Sequence, residues 1–143
     1  MTSLPTTRLV FTRRSLAEQR LIRMMRICAE GRSVDPEDSK HYRLPKSTLK
    51  RLARFTSIAV AKGYRIHPPG ALYASRDELR LVGLFAQAQR LRFTNRIRIE
   101  PELHDLLVGI AAALEADGIR LPPISLVAAD QAALHAEGVD KRE

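Results

Sequence analysis

Pro101-Glu102-Leu103-His104-Asp105-Leu106-Leu107-Val108-Gly109-Ile110-Ala111-Ala112-Ala113-Leu114 decides the fold class. Leu103, Leu106, Leu107, Ile110, Ala111 and Leu114 recur at the three- and four-residue spacing that gathers them on one face of an α-helix. Pro101 suits the first turn, because its fixed φ is helical and its missing N–H has no acceptor to lose there. Gly118 then offers the stop.

The same grammar recurs on either side of this stretch. Upstream, Ser75-Arg76-Asp77-Glu78 is a capping box: the serine hydroxyl accepts from the backbone at Glu78, and the Glu78 carboxylate reaches back. It opens a helix to about Arg92 with Leu81, Val82, Leu84, Phe85, Ala88 and Leu91 on a broad apolar arc, which predicts a central helix. Ser15-Leu16-Ala17-Glu18 is a second box; Leu21, Met24, Met25 and Cys28 form the apolar face of the helix it opens, and Gly31 ends it. Between these, Pro45 opens a helix with Leu49, Leu52, Phe55 or Thr56, and Ala59 inward and Gly63 as its end. Downstream, Pro122-Pro123 precedes Ser125, which is placed to cap a last helix reaching about Glu137 before Gly138. Residues 32–44 read as a loop, 64–70 as an extended connector, and Arg96-Ile97-Arg98-Ile99, which alternates, as a short strand or extended link. The expectation is an all-α single-domain bundle of about five helices with Pro-containing connectors. Residues 1–12 would be a flexible arm, 13–138 the bundle, and 139–143 a tail. Ala61 to Pro68 echoes Ala116 to Pro123, both running from a helix end through Gly to Arg, an aliphatic residue and Pro; it reads as the usual grammar of helix ends rather than a duplication.

A chain of 143 residues with 45% hydrophobic residues can build one core without a metal or disulfide staple. Its single Cys28 forms no internal disulfide and fits a reducing cytoplasm. Arg13-Arg14-Ser15-Leu16 echoes a twin-arginine export signal, but Glu18, Arg20, Arg23 and Arg26 follow where an apolar core belongs. The longest uncharged apolar run, Leu106 to Leu114, is far short of the ~20 residues of a membrane span, so no membrane partner is expected.

Charge is the unusual feature. The net charge is +8, yet residues 1–99 carry 21 bases against 7 acids and residues 100–143 carry 3 bases against 9 acids. Such asymmetry suggests an anionic partner for the first part or docking of the second part on the first. Lys46, Lys50 and Arg54 repeat every four residues and stack along one side of their helix, with Arg51 beside them. With Arg20, Arg23 and Arg26 of the first helix they are the candidate site for an anionic partner, nucleic acid or an acidic protein surface. The competing reading is a solvated face, or one paired with Glu102, Asp105 and Glu115.

No phosphate loop, nucleophile elbow or zinc-protease motif is present, and His41, His67, His104 and His135 lie far apart; no catalytic residue, metal or cofactor is assigned. Cys28 reads as a core thiol, Asp77 and Glu78 as capping groups, and Tyr42, Tyr64 and Tyr73 as loop anchors. The connector from Gly63 to Ser75 is too long for a helix-turn-helix, and Pro45 interrupts any ribbon-helix-helix strand at Tyr42-Arg43-Leu44. The sequence thus points to a small non-enzymatic regulatory or accessory protein of the cytoplasm. A helical interaction or self-associating (homo-oligomeric) module is the second reading, and an enzyme with a dispersed site the third.

Arg23-Met24-Met25, Arg51-Leu52-Ala53-Arg54-Phe55, Pro69 through Ser75-Arg76-Asp77-Glu78 and Leu81, and the Ala-rich end of the fourth helix give the chain an order of segments that resembles a group of small, uncharacterised helical proteins of alphaproteobacteria over about residues 15–115. Members of that group often carry cysteines before the proline ahead of the third helix; here the connector reads Tyr64-Arg65-Ile66-His67-Pro68, so a shared metal or thiol site does not carry over. The resemblance implies a bacterial cytosolic helical protein and no particular activity.

Overall fold

A computed structural model describes residues 14–31, 44–91, 96–123 and 125–126. Among these the chain is all-helical: α1 (Leu16–Ala29), α2 (Lys46–Ala61), α3 (Arg76–Arg90) and α4 (Pro101–Ala116). Of the fifth helix foreseen from Ser125 to Glu137, Ser125 and Leu126 are helical and the rest lies outside the described residues, as do the arm 1–12, the tail 139–143 and most of the 32–44 loop.

Both capping boxes form. In α1 the Glu18 N–H donates to Ser15 Oγ at 3.2 Å and the Ser15 N–H to Glu18 Oε1 at 3.1 Å; in α3 the corresponding distances, Glu78 to Ser75 and back, are 2.9 and 2.8 Å. Pro45 sits one residue earlier than expected, as the residue flanking α2 rather than inside its first turn, and supplies no side-chain cap. α2 and α4 end alike. The Gly63 and Gly118 φ angles are +99° and +80°, a left-handed conformation open to glycine. The Tyr64 N–H reaches back to the Ala59 carbonyl and Ile119 to Leu114, while Gly63 reaches Val60 and Gly118 reaches Glu115. This doubled return satisfies carbonyls that a helix end otherwise orphans, and it buries Tyr64 and Ile119 against the core. The sequence echo at these two positions is therefore a shared helix-terminating device.

The helices pack as a ring in which α1 touches α2, α2 touches α4, α4 touches α3, and α3 touches α1. α2 and α4 run antiparallel: Lys62, just past the end of α2, pairs with Glu102 at the start of α4, while Arg51 near the start of α2 lies against Gly109. Successive helices are neighbours except α2 and α3, which stand on a diagonal bridged in the core by Phe55 and Phe85, their rings 5.1 Å apart and tilted. The long 62–75 connector is needed to cross that diagonal. α3 is central as expected, with every residue from Leu81 to Ala86 buried. α1 is nearly as enclosed, and its buried run from Met24 to Ile27 includes Arg26. Arg96 to Ile99 is a link and not a strand, although the alternation is real: Ile97 is buried between exposed Arg96 and Arg98.

Candidate functional site

α2 holds the candidate site. Its core side is Thr48, Leu52, Phe55, Thr56 and Ala59. At 3.6 residues per turn, Lys46, Lys50 and Arg54 fall on the opposite side, and all three are exposed. Arg51 is exposed on the flank, its guanidinium over α4: a Cβ on Gly109 would stand 3.6 Å from Nη1. Among the described residues no carboxylate lies within ion-pair distance of Lys46, Lys50 or Arg54. The ion pair joining α2's end to α4 is Lys62 with Glu102, outside the row. Asp105 lies 3.1 Å from His104 on its own helix, and Glu115 lies 3.4 Å from Arg120. The pairing of the row with Glu102, Asp105 and Glu115 that the charge balance allowed is not made.

α1 contributes less than the sequence suggested. Arg23 is exposed and Arg20 half-buried. Arg26 is 1% exposed and belongs to the interior, so it cannot meet a partner at the surface. Its Nε donates to Glu78 Oε2 at 2.8 Å and its Nη2 to Oε1 at 3.0 Å, a two-pronged pair between planar groups. Nη1 and Nη2 also donate to the carbonyls of Ala71 and Tyr73, at 3.0 and 3.1 Å. Glu78 is completed by the backbone N–H groups of Ser75 and His67. Burying both ions is costly, and this full set of partners is what makes it tolerable. The signal was present in the sequence: Arg26 lies one residue past Met25 and four past Ile22, on the inward side of the helix.

The Arg26–Glu78 pair pins the crossing connector to α1. Arg65 N–H donates to Asp77 at 2.7 Å, and Ser75 Oγ donates to the Arg65 carbonyl at 2.5 Å. So Glu78 caps α3 as its position implied, and Asp77 and Glu78 also fix the connector, which their position did not show. Between the two pinned carbonyls the connector presents Leu72 and Tyr73 to solvent, 70% and 50% exposed. The periodicity that marks buried faces has no counterpart for exposed apolar residues in a connector, so this feature was not legible. Tyr64, by contrast, is the anchor expected of it: buried, donating to Glu100 at 2.9 Å and covered by Arg80 at 5.5 Å from its ring centre. Burial and the Glu100 bond push its hydroxyl pKa up to about 12. Tyr42 lies outside the described residues.

A second polar node ties the chain after α4 back to α1. Ser125, expected to cap a helix, donates from Oγ to buried Glu18 at 2.9 Å, and Arg14 pairs with the same carboxylate. Gln89 and Arg90 at the end of α3 hold the carbonyls of Ile119 and Leu121. Cys28 is half-buried, and desolvation raises its thiol pKa to about 11, away from the range of a reactive cysteine. No group of three or more metal-ligating side chains occurs among the described residues, and none of the described helices is long and apolar enough to cross a membrane. The chain matches no protein family, no curated protein and no solved structure.

Proposed function

We propose that this protein is a small non-enzymatic accessory or regulatory protein of the cytoplasm that binds an anionic partner through the outward face of α2. The observation that carries the reading is the line of Lys46, Lys50 and Arg54. The three are exposed, aligned along the side away from the core, and without a carboxylate at ion-pair distance among the described residues. A solvated face needs only scattered charge of both signs. α2 carries four bases and no acid. Arg51 flanks the line and exposed Arg23 adds to the charge from α1, while Arg26 has left the site.

Retention on immobilised heparin, a generic polyanion, tests this. The intact chain should elute late, and Lys46→Gln/Lys50→Gln/Arg54→Gln should elute markedly earlier at unchanged helicity. Equal elution of the two proteins would remove the reading.

A protein-interaction or self-associating module is the second reading, and exposed Leu72 and Tyr73 favour it. A contiguous apolar pair held out by a pinned backbone suits a contact with another protein surface. Sedimentation of the chain beside Leu72→Ser/Tyr73→Ser tests it; a strict monomer at high concentration would remove self-association.

A further inference from the structure

Resting on the reading of α2 as an anion-binding face, we infer that its partner is the sugar-phosphate backbone of a nucleic-acid duplex, held without regard to base sequence. Three features of the outward face select this occupant. The first is spacing. At 1.5 Å per residue, Lys46, Lys50 and Arg54 stand ~6 Å apart and span ~12 Å. One strand of a duplex presents a phosphate every ~3.4 Å of axis, so a row of that length passes about three to four phosphates, enough for each cation to meet its own.

The second is slimness. Ser47 and Ala53 are the small exposed residues between the cations, and Ser57 and Ala61 continue the exposed face beyond Arg54. Small side chains keep the ridge narrow, so the long lysine and arginine stems can close on a backbone from both sides. The third is what the face lacks. It has no asparagine or glutamine, which read adenine, and no acid, which reads cytosine, so its cations are left to the phosphates. Nor has it an aromatic residue, the platform on which single-stranded bases stack. Protein interfaces are built around buried aromatic and apolar anchors and are poor in lysine. Here the only large apolar residue facing out is Val60, at the far end of the helix. Cations alone on a lean helix match phosphates better than they match a folded protein's surface.

Fluorescence anisotropy of the full chain decides the matter. The probes are two labelled 20-base-pair DNA duplexes of unrelated sequence, an RNA duplex of the same length, a single-stranded oligonucleotide, and poly-glutamate as the protein-like polyanion. The two DNA duplexes should bind within about threefold of each other, and the duplexes should bind more tightly than the single strand. The slope of log affinity against log salt should shrink by about 2.7 in Lys46→Gln/Lys50→Gln/Arg54→Gln, three phosphate contacts at ~0.9 each. Arg65→Gln/Arg120→Gln, which removes two exposed bases outside α2, should leave the slope within about 0.5 of the parent, since neither base is asked to meet a phosphate. The RNA arm shows whether the recognised backbone is that of DNA, RNA or both. Preference for one DNA sequence by more than tenfold, tighter binding of the single strand, or an unchanged slope in the triple variant overturns the inference. Binding of poly-glutamate without binding of any duplex overturns it too, but leaves the anion-binding reading of α2 standing. Binding of neither polyanion removes both.

Discussion

Arg26 shows how a single side chain is misplaced when only its neighbours in sequence are weighed. Arg20, Arg23 and Arg26 look like one basic flank, but the partner that draws Arg26 inward, Glu78, lies 52 residues away. The spacing within α1 places Arg26 on the inward side beside Ile22 and Met25, but nothing local to α1 names the partner. The pair's energetic weight is open to test. Arg26→Met leaves Glu78 buried with two backbone donors and frees the carbonyls of Ala71 and Tyr73. Loss of one partner of a buried pair costs about 3–5 kcal/mol, so the urea midpoint should fall steeply. A change below ~1 kcal/mol would mean that the pair is solvated in solution. At the alkaline end, two groups act in one direction. Cys28 and Tyr64 have folded-state pKa values raised to about 11 and about 12 from ordinary values of 9.0 and 10.0. The unfolded chain therefore releases their protons first, and stability falls as pH rises from about 9 towards 12. Chemical denaturation along that range should show the decline, and Cys28→Ala should flatten the portion nearest pH 9 to 11. A stability profile that is level up to pH 11 would contradict the desolvation of both groups.

At the scale of the element, the sequence is most readable where the cause is local. Both capping boxes and the glycine stops at 63 and 118 were legible because each needs only a few consecutive residues and fixed backbone chemistry. The Arg96 to Ile99 alternation was legible as alternating burial but left strand and link open, since whether a second strand lies alongside is not written in four residues. The row on α2 was legible as geometry; its lack of a carboxylate partner among the described residues was not, because that depends on where α4 places its acids. α2 also opens against local preference. Lys46 stands at the positive end of the helix dipole, no acid occupies the first turn, and Pro45 gives no side-chain cap. Replacing Lys46 by Glu should stabilise the chain by about 0.5 kcal/mol through the dipole while weakening polyanion binding. Thermal melts and heparin elution, read together, separate the two effects: a higher melting temperature with earlier elution is expected. Later or equal elution would place Lys46 outside the contact. A residue that lowers stability yet strengthens binding is one whose presence the fold alone does not explain.

For the molecule as a whole, the decisive feature is the diagonal crossing from α2 to α3. Sequence length showed only that the Gly63 to Ser75 segment was too long for a tight turn; that it passes over α1 and is caught there by Arg26 required three dimensions. The chain after α4 is tied in a comparable way, by Gln89 and Arg90 of α3 and by Glu18 of α1 through Ser125. α1 and α3 thus hold both irregular segments, while α2 and α4 carry opposite charge on their exposed sides. Such anchoring should make the connector rigid despite the exposure of Leu72 and Tyr73, two residues that chymotrypsin favours. Cleavage of a folded chain tracks local opening, so a pinned loop is cut slowly even when its side chains are accessible. Arg26→Lys keeps the charge opposite Glu78 but loses the planar fork that reaches both carbonyls at once. Under native conditions, mass spectrometry should find cleavage after Leu72 or Tyr73 at least tenfold faster in Arg26→Lys than in the parent chain, with circular dichroism confirming that both remain helical. Cutting in the parent at the rate of the urea-unfolded chain would show that the guanidinium does not hold the crossing, and that α2 and α3 are joined by a loose strap.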